Sequence, residues 1–267
     1  KILNFTFNGQ ILKGYEGDTL ASALLANNKH LIGRSFKYHR PRGIVTAGSE
    51  EPNAIMEIGN GAYREPNTRA TVTQLYNGLE ANSQNHRGPL SFDFMAITDF
   101  LSPLLGAGFY YKTFMWPKSF WEKFYEPAIR KSAGLGTLST EADPDTYDKG
   151  FRHCDILIIG SGATGLSAAL TAAESGAKII LADEDFLMGG RLNSETNEID
   201  GIAGSEWAKK TVAKLGAMEN VTLMSDTTVF GAYDHGIYGA IENRASEARE
   251  DNDKPRQVNW RIYTKRA

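Results

Sequence analysis

Residues 155–183 read DILIIGSGATGLSAALTAAESGAKIILAD, and their pattern decides the fold of the second half of the chain. A short apolar strand, Asp155 to Ile159, leads into the turn Gly160–Gly165, which has the spacing G-x-G-x-x-G. An alanine-rich helix, Ala163 to Ser175, and a second apolar strand, Lys178 to Ala182, follow the turn. A strand, this glycine spacing, a helix and a second strand together predict the opening βαβ unit of a Rossmann-type dinucleotide-binding domain.

Each glycine of the turn has a separate physical task in such a domain. Gly160 permits the tight turn, Gly162 lets the backbone approach a pyrophosphate, and Gly165 lets the helix pack close to the strand. The helix N-terminus then presents unpaired N–H groups to the phosphates. Asp183, which lies 23 residues after Gly160, is placed to accept hydrogen bonds from a ribose. The alternative is a glycine-rich turn that holds no ligand.

The residues after the second strand bear on which dinucleotide is bound. An acidic Asp183 opposes a 2′-phosphate and so disfavours NADP, and Gly189-Gly190-Arg191 would bring backbone and a guanidinium to the pyrophosphate. The remaining predicted elements are a helix, Ser205–Leu215, capped by Ser205, a strand, Val221–Met224, and three antiparallel strands, Thr227–Tyr233, Ile237–Asn243 and Gln257–Tyr263, with a charged loop over Ala245–Arg256. Domains of this kind bind either NAD or FAD, so the geometry leaves both open.

Composition excludes several classes of protein. The chain has 267 residues, enough for two domains, and its net charge of −3 argues against a dedicated nucleic-acid binder. Cys154 is its only cysteine, which rules out an internal disulfide, a cysteine-rich zinc site and a cysteine-bound iron–sulfur cluster. The apolar run Ile156–Ala173 is better explained as a buried strand and helix than as a membrane span, because its glycines form a turn. We expect a cytoplasmic protein that contacts neither membrane nor nucleic acid.

The first 85 residues predict a small β-grasp domain of the ferredoxin type that lacks a cluster. The predicted elements are a strand Ile2–Phe7, a turn at Asn8-Gly9, a strand Gln10–Lys13, a helix Leu20–Ala26 capped by Asp18 or Thr19, and strands at Gly43–Ala47 and Ala54–Ile58. Plant-type ferredoxins need four cysteine ligands, and this region has none. The domain is therefore expected to be a metal-free scaffold rather than an electron carrier.

Residues 86–152 connect the two predicted domains, and the second domain is expected to span residues 153–267. Nine aromatic residues lie within Phe109–Tyr125. They either pack over the domain core or form a subunit interface, where aromatic side chains are enriched. Ser132–Arg152, with its glycines, a proline and acidic residues, is interpreted as a surface linker.

A basic and aromatic cluster and five separate histidines complete the candidate groups. The cluster runs from Arg34 to Arg42 and is either a solvated loop or a site for an anion or for acidic groups of a partner. The histidines are far apart and have no zinc-ligand spacing. No catalytic residue and no metal ligand is predicted in this chain.

Several strings of sequence go beyond a generic fold. They are GDTLASALLAN at residues 17–27, GRSFKYHRPRG at 33–43, EEPNA at 50–54, AGFYYKTFMWP at 107–117 and FGAYDHG at 230–236. Together these strings closely resemble the α subunit of the heterotetrameric sarcosine oxidases. The fold class that follows is α+β and then α/β: a β-grasp domain without a cluster, followed by an FAD/NAD-type Rossmann domain that stops early.

The resemblance implies an oxidoreductase that converts sarcosine to glycine, hydrogen peroxide and either formaldehyde or 5,10-methylenetetrahydrofolate. It implies NAD in this chain, with FAD as the alternative, and FAD and covalent FMN in a partner β subunit that oxidises the amine. The partners would be β, γ and δ subunits. Two alternatives remain: a related complex acting on proline, opines or glycine, the last forming cyanide, and a purely structural subunit that holds a nucleotide.

The glycine fingerprint and residue-by-residue matching to that family together give the predicted nucleotide contacts. They are Gly160, Gly162, Ala163, Thr164, Gly165, Asp183, Glu184, Gly190, Arg191 and Val229, with Val229 near the adenine. The family continues beyond Ala267 into a further strand and a folate-binding half. We therefore expect this chain to lack the folate reaction and to be unstable when expressed alone.

Overall fold

A computed structural model describes residues 1–112, 114–133, 136–245 and 253–267 of the chain. The chain divides into two compact units, Lys1–Asp143 and Pro144–Ala267, and each is described by itself below.

The first unit contains a mixed five-stranded sheet. Its elements are β1 (Ile2–Phe7), β2 (Gln10–Tyr15), α1 (Leu20–Ala26), β3 (Gly33–Arg34), β4 (Pro41–Arg42), β5 (Ile55–Ile58), β6 (Glu65–Arg69), β7 (Glu80–Ser83), α2 (Ile97–Phe100), α3 (Phe109–Lys112) and α4 (Glu126–Ala133). The sheet has the strand order β2-β1-β7-β5-β6, with β1 and β7 parallel, and β3 and β4 form a separate two-stranded ribbon. Helix α1 packs on this sheet through a shared core. This is the β-grasp arrangement that the sequence predicts.

Local sequence explains the start of this sheet. Leu3, Phe5 and Phe7 alternate along β1 and are all buried on one face. Asn8 and Gly9 both have positive φ, 49° and 77°, which is the backbone of a tight two-residue hairpin turn. Thr19 caps α1, which decides between the two predicted capping residues.

The predicted strand Gly43–Ala47 is wrong. The structure places β4 earlier, at Pro41–Arg42, and residues 43–54 form an irregular loop. The physical reason is that the backbone amides of Val45 and Thr46 donate to the Glu51 carboxylate and not to a neighbouring strand. A periodic apolar pattern does not reveal such a side-chain acceptor.

The aromatic segment packs on itself. Phe114 contacts Phe109 and Tyr125, with ring centroids 5.8 and 5.2 Å apart, and Phe120 lies 5.0 Å from Phe124. Phe124 remains 58% exposed. None of these five rings belongs to the buried core of the five-stranded sheet. These rings therefore pack on one another outside the buried core, and both the cover over that core and the subunit interface stay predictions.

The second unit contains a six-stranded sheet. Its elements are β8 (Tyr147–Ile159), α5 (Ala163–Glu174), β9 (Ile179–Ala182), β10 (Glu198–Ile199), β11 (Ile202–Ala203), α6 (Gly204–Gly216), β12 (Val221–Met224), β13 (Thr227–Tyr233), β14 (Ile237–Asn243) and β15 (Gln257–Arg266). The strand order is β12-β9-β8-β15-β14-β13. Strands β12, β9, β8 and β15 are parallel, and β13, β14 and β15 form an antiparallel meander. This is the Rossmann-type half that the glycine motif predicts.

Three boundaries differ from the sequence-based expectations. Strand β8 begins at Tyr147, so the end of the predicted linker Ser132–Arg152 is strand that pairs with β15. Ala203, without a side-chain hydrogen bond, precedes α6, so Ser205 is not its cap. Residues 246–252 of the predicted charged loop lie outside the described residues.

The apolar run Ile156–Ala173 is divided between the end of β8, the glycine turn and most of α5, as predicted. Within the part of the chain that the structure describes, no helix is both long and apolar enough to cross a membrane.

Candidate nucleotide-binding site

The candidate site lies where three parallel strands end. Strands β8, β9 and β12 pair in parallel, so their carboxyl ends meet at one edge of the sheet. The turn Gly160–Gly165 connects the end of β8 to α5 at this edge. Ligands of open α/β sheets bind in the crevice outside the carboxyl ends of the strands. The predicted glycine turn is therefore in the right place for a nucleotide.

The backbone of Gly160 and the close packing at Gly165 agree with the tasks that their spacing predicts. Gly160 has a φ of +95°, a backbone conformation that other residues rarely adopt. A Cβ atom on Gly165 would overlap the carbonyl oxygen of Gly160, so only glycine lets α5 start this close to the strand. A Cβ on Gly162 would meet nothing within 4 Å, which leaves open space in front of the turn.

Helix α5 begins without a protein acceptor at its N-terminus. Gly162 is its N-cap residue and has no side chain to accept a hydrogen bond, and Ala163 and Thr164 form its first turn. The first amides of a helix have no partner within the helix and carry its positive dipole end. A phosphate in the open space beside Gly162 would meet that need.

The buried carboxylate of Asp183 holds this turn in place. Asp183, only 7% exposed, accepts a hydrogen bond from the Ser161 amide through one oxygen and from the Asp185 amide, at 2.8 Å, through the other. The Ser161 hydroxyl in turn accepts from the Gly189 amide at 2.9 Å. Asp183 thus organises the glycine turn, a role that the sequence analysis did not assign to it. Its contact with a ribose remains a prediction.

Glu184 and Gly190 lie near this network. Glu184 is exposed at the carboxyl end of β9, next to the buried Asp183. Gly190 has a φ of +53°, and a Cβ on it would lie 3.2 Å from the Cα of Gly162. Gly190 therefore lies directly against the first turn, and its contact with a nucleotide stays a prediction.

Arg191 and Val229 are placed less directly. The Arg191 guanidinium is 78% exposed and pairs with Glu195 at 2.7 Å, so binding a pyrophosphate would require it to exchange that partner. Val229 packs against a buried cluster of the unit that includes Leu157, Ile180 and Ile262. The strand that carries it is tied to the site, because the Thr227 amide donates to the Asp183 carbonyl oxygen at 2.7 Å.

One acidic residue at this edge was missed. Asp226 follows β12, and its amide donates to the carbonyl oxygen of Asp185 at 3.1 Å. Burial, with a further contribution from the nearby Glu242, raises the pKa of Asp226 to about 6. The sequence does show an aspartate directly after a strand of this sheet. It does not show that Asp226 is buried, because that burial depends on the distant β14.

The cluster Arg34–Arg42 is an internal anchor of the first unit. Arg34 is 8% exposed, and its guanidinium donates to the carbonyl oxygens of Leu90 and Ser91 at 2.7 and 3.1 Å. His39 is 2% exposed, and its Nδ1 lies 2.6 Å from Asp93. A solvated loop is therefore the wrong interpretation for Arg34 and His39.

Arg40, a second arginine of this cluster, is also paired. Arg40 donates to Asp99 through two nitrogens, at 2.8 and 2.6 Å, and the two side chains are half exposed. Arg34 and Arg40 thus already serve acceptors of the same unit, and the anion site stays a prediction.

Comparisons with known proteins support the two-domain fold. Residues 1–86 match a family model described as a 2Fe-2S iron-sulfur cluster binding domain, and residues 155–244 match one described as FAD dependent oxidoreductase. The solved L-proline dehydrogenase from P. horikoshii superimposes with a TM-score of 0.56 over 99% of this chain and 40% of that chain. At 19% identity, it shows that the fold is shared.

Sequence relatives cover almost the whole chain. The sarcosine oxidase subunit alpha of Rhizobium meliloti is 56% identical over 99% of this chain, and that of Corynebacterium sp. strain U-96 is 34% identical over 91%. The chain spans only 27% and 20% of the lengths of these relatives. Over that segment, the chain belongs to the sarcosine oxidase α-subunit family.

Proposed function

We propose that this chain is the dinucleotide-binding portion of a multi-subunit enzyme that oxidises sarcosine. The observation that carries the proposal is the open space in front of Gly162 at the uncapped start of α5. The residues present fit an adenine dinucleotide: the backbone amides at the start of α5 would face the pyrophosphate, and an acidic edge would suit a ribose without a 2′-phosphate.

NAD is the proposed occupant, because the resemblance to sarcosine oxidase α subunits implies it. FAD is the alternative, and the match to the FAD-dependent oxidoreductase model supports it. In both cases Gly162, Ala163 and Thr164 would hold the pyrophosphate, and Glu184, which is exposed beside the buried Asp183, would accept from the ribose. A bound nicotinamide or flavin would supply hydride chemistry that no residue of this site supplies itself.

The rest of the proposed reaction belongs to partners. The amine would be oxidised on a β subunit that carries FAD and covalent FMN, and γ and δ subunits would complete the complex. This chain would be non-catalytic by itself. Purification of the intact complex, mass spectrometry of its subunits, and peroxide formation with sarcosine, proline, an opine and glycine as substrates test this assignment. Turnover with proline, opines or glycine instead of sarcosine would assign the chain to a related enzyme.

Nucleotide identity is tested by denaturing the purified protein and identifying what it releases. Release of NAD supports the proposal, and release of FAD overturns the NAD assignment. Reduction of the nucleotide during sarcosine oxidation would contradict a purely structural role for it.

Gly162→Ala tests the location of the site. Its φ of −64° suits alanine, and the fold has room for the methyl group, so we expect normal thermal unfolding. The methyl group would occupy the space that a phosphate needs, so nucleotide affinity should fall about a hundredfold, the loss of roughly two hydrogen bonds.

Gly216→Ala is the matched control, because a Cβ there meets only Leu223, at 3.6 Å, near the end of α6. Unchanged nucleotide affinity in Gly162→Ala would show that the glycine turn is not part of the nucleotide site.

A further inference from the structure

The first domain matches a cluster-binding family without having the ligands for a cluster. Residues 1–86 match the 2Fe-2S model, yet the only cysteine of the chain is Cys154. A 2Fe-2S cluster is held by four cysteines, or by two cysteines and two histidines in Rieske centres. Across the described residues, no group of three or more His, Cys, Asp or Glu side chains could hold a metal ion. The residues present do not fit the cluster.

The irregular loop of residues 43–54 contains a buried anion instead. Glu51 is 1% exposed. Its Oε2 accepts hydrogen bonds from the amides of Val45 and Thr46 at 2.8 and 2.6 Å. Its Oε1 accepts from the Asn53 amide at 2.7 Å. Three backbone amides from both ends of the loop therefore converge on one carboxylate.

The contacts of this carboxylate favour its charged form. Burial by itself would raise the pKa of Glu51, but hydrogen bonds from Thr46, Asn53 and Val45 outweigh burial and hold the pKa below its ordinary value. The Thr46 hydroxyl adds a fourth donor at 3.1 Å. The loop is tied further to the unit by the Thr71 hydroxyl, which donates to the Gly48 carbonyl oxygen at 2.7 Å.

Successive backbone amides that point to one spot form an anion-binding concavity, an arrangement found at many phosphate and iron–sulfur sites. Val45 and Thr46 supply such a pair of successive amides, and Glu51 satisfies it from within the chain. We propose that the Glu51 carboxylate is the anion around which this loop folds. The buried negative charge accepts hydrogen bonds from the loop amides, as the sulfurs of an iron–sulfur cluster do in other proteins. The domain is then a scaffold that carries no electrons.

The same unit shows which segment of the chain the scaffold positions. The loop starts directly after β4, and the ribbon of β3 and β4 carries Arg34, which holds the backbone at Leu90 and Ser91. The loop between these strands carries Tyr38, whose hydroxyl donates to the Leu105 carbonyl oxygen at 3.1 Å. The domain thus fixes the segment that leads to the exposed aromatic residues.

The test compares Glu51→Gln with Glu50→Gln in the intact protein by amide hydrogen exchange. A glutamine at position 51 turns an amide N–H₂ toward one of the backbone donors, so exchange of peptides over residues 44–54 should accelerate about tenfold or more. Glu50 is exposed, and its variant should exchange as the wild type does. Equal protection in the two variants would overturn the proposal.

Two further measurements keep the test decisive. Thr46→Val removes only the hydroxyl donor and should accelerate exchange by about threefold, which provides a readout if Glu51→Gln does not fold. Incubation of the wild-type protein with ferrous iron and sulfide under anaerobic conditions should leave iron far below stoichiometric amounts. Stoichiometric iron and sulfide with the absorption of a 2Fe-2S cluster would overturn the scaffold assignment.

Discussion

A buried carboxylate holds both the loop around Glu51 and the turn around Asp183, but the two arrangements have opposite consequences for ligand binding. Both carboxylates are buried, and both accept backbone amides: Glu51 from three residues of its loop, and Asp183 from Ser161 and Asp185. In the first case the chain's own anion occupies the converging amides. In the second, the carboxylate holds the turn from behind, and the first amides of α5 have no side-chain cap.

The difference separates the proposed scaffold from the proposed binding site in this chain. A carboxylate that occupies the converging amides closes the loop to ligands, whereas one that fixes the geometry from outside keeps the amides for a phosphate. Asp226 is a third case. No described hydrogen bond lowers its pKa, which is raised to about 6. Three substitutions test this comparison, from the largest expected effect to the smallest.

Gly165→Ala should have the largest effect. The added methyl group would overlap the Gly160 carbonyl oxygen, and this contact is to backbone, which cannot move aside as a flexible side chain can. We expect the second unit to lose about 3 kcal/mol in its free energy of unfolding, measured by denaturant titration. Nucleotide binding should be lost with it. Stability like that of the Gly216→Ala control would show that the turn is not as tightly built as the comparison requires.

Asp183→Asn should have the next largest effect. Asparagine has one acceptor oxygen where the wild type offers two to the Ser161 and Asp185 amides, so unfolding should become easier by about 2 kcal/mol. Nucleotide affinity should also fall, because the turn loosens.

Glu184→Gln, one residue on, is the control that separates the two roles. Its side chain is exposed, so stability should not change, while affinity falls about threefold to tenfold through a weaker ribose contact. If Asp183→Asn lowered affinity without lowering stability, Asp183 would contact the nucleotide rather than organise the turn.

Asp226→Asn should have the smallest effect, of the opposite sign. The folded-state pKa of about 6 lies above the ordinary value of 3.8, so ionisation is disfavoured in the folded protein. Native stability should therefore fall as the pH rises from about 4 to about 6 and stay lower above that range. Asparagine removes this penalty. Because solvent partly screens this half-buried group, the gain in stability at neutral pH should be about 1–2 kcal/mol, with no gain below about pH 4.

Asp200→Asn is the matched control for Asp226→Asn, since Asp200 also has a positive φ, 53° against 49°, but is exposed. Thermal unfolding over a pH series checks both variants. A gain in stability that does not change with pH would rule out the charge of Asp226 as its cause.

The sequence by itself determined the elements that local rules control. The glycine spacing at Gly160–Gly165 required one backbone path, because Gly165 cannot carry a Cβ beside the Gly160 carbonyl oxygen. Strand β1 and helix α1 followed from alternation and capping with the bounds that were predicted. Periodicity and turn chemistry act over a few residues, so the sequence contains them in full.

Tertiary structure alone decided how polar side chains are used. Asp183 and Glu51 became loop anchors because backbone amides that are distant or irregularly placed converge on them. Arg34 became an internal anchor because the carbonyl oxygens of Leu90 and Ser91 reach it from 56 and 57 residues away. The start of β8 at Tyr147 depends on β15, more than a hundred residues later. A carboxylate or guanidinium shows its charge in the sequence, but only the folded chain brings the partner that decides whether that charge binds a ligand or holds the protein together.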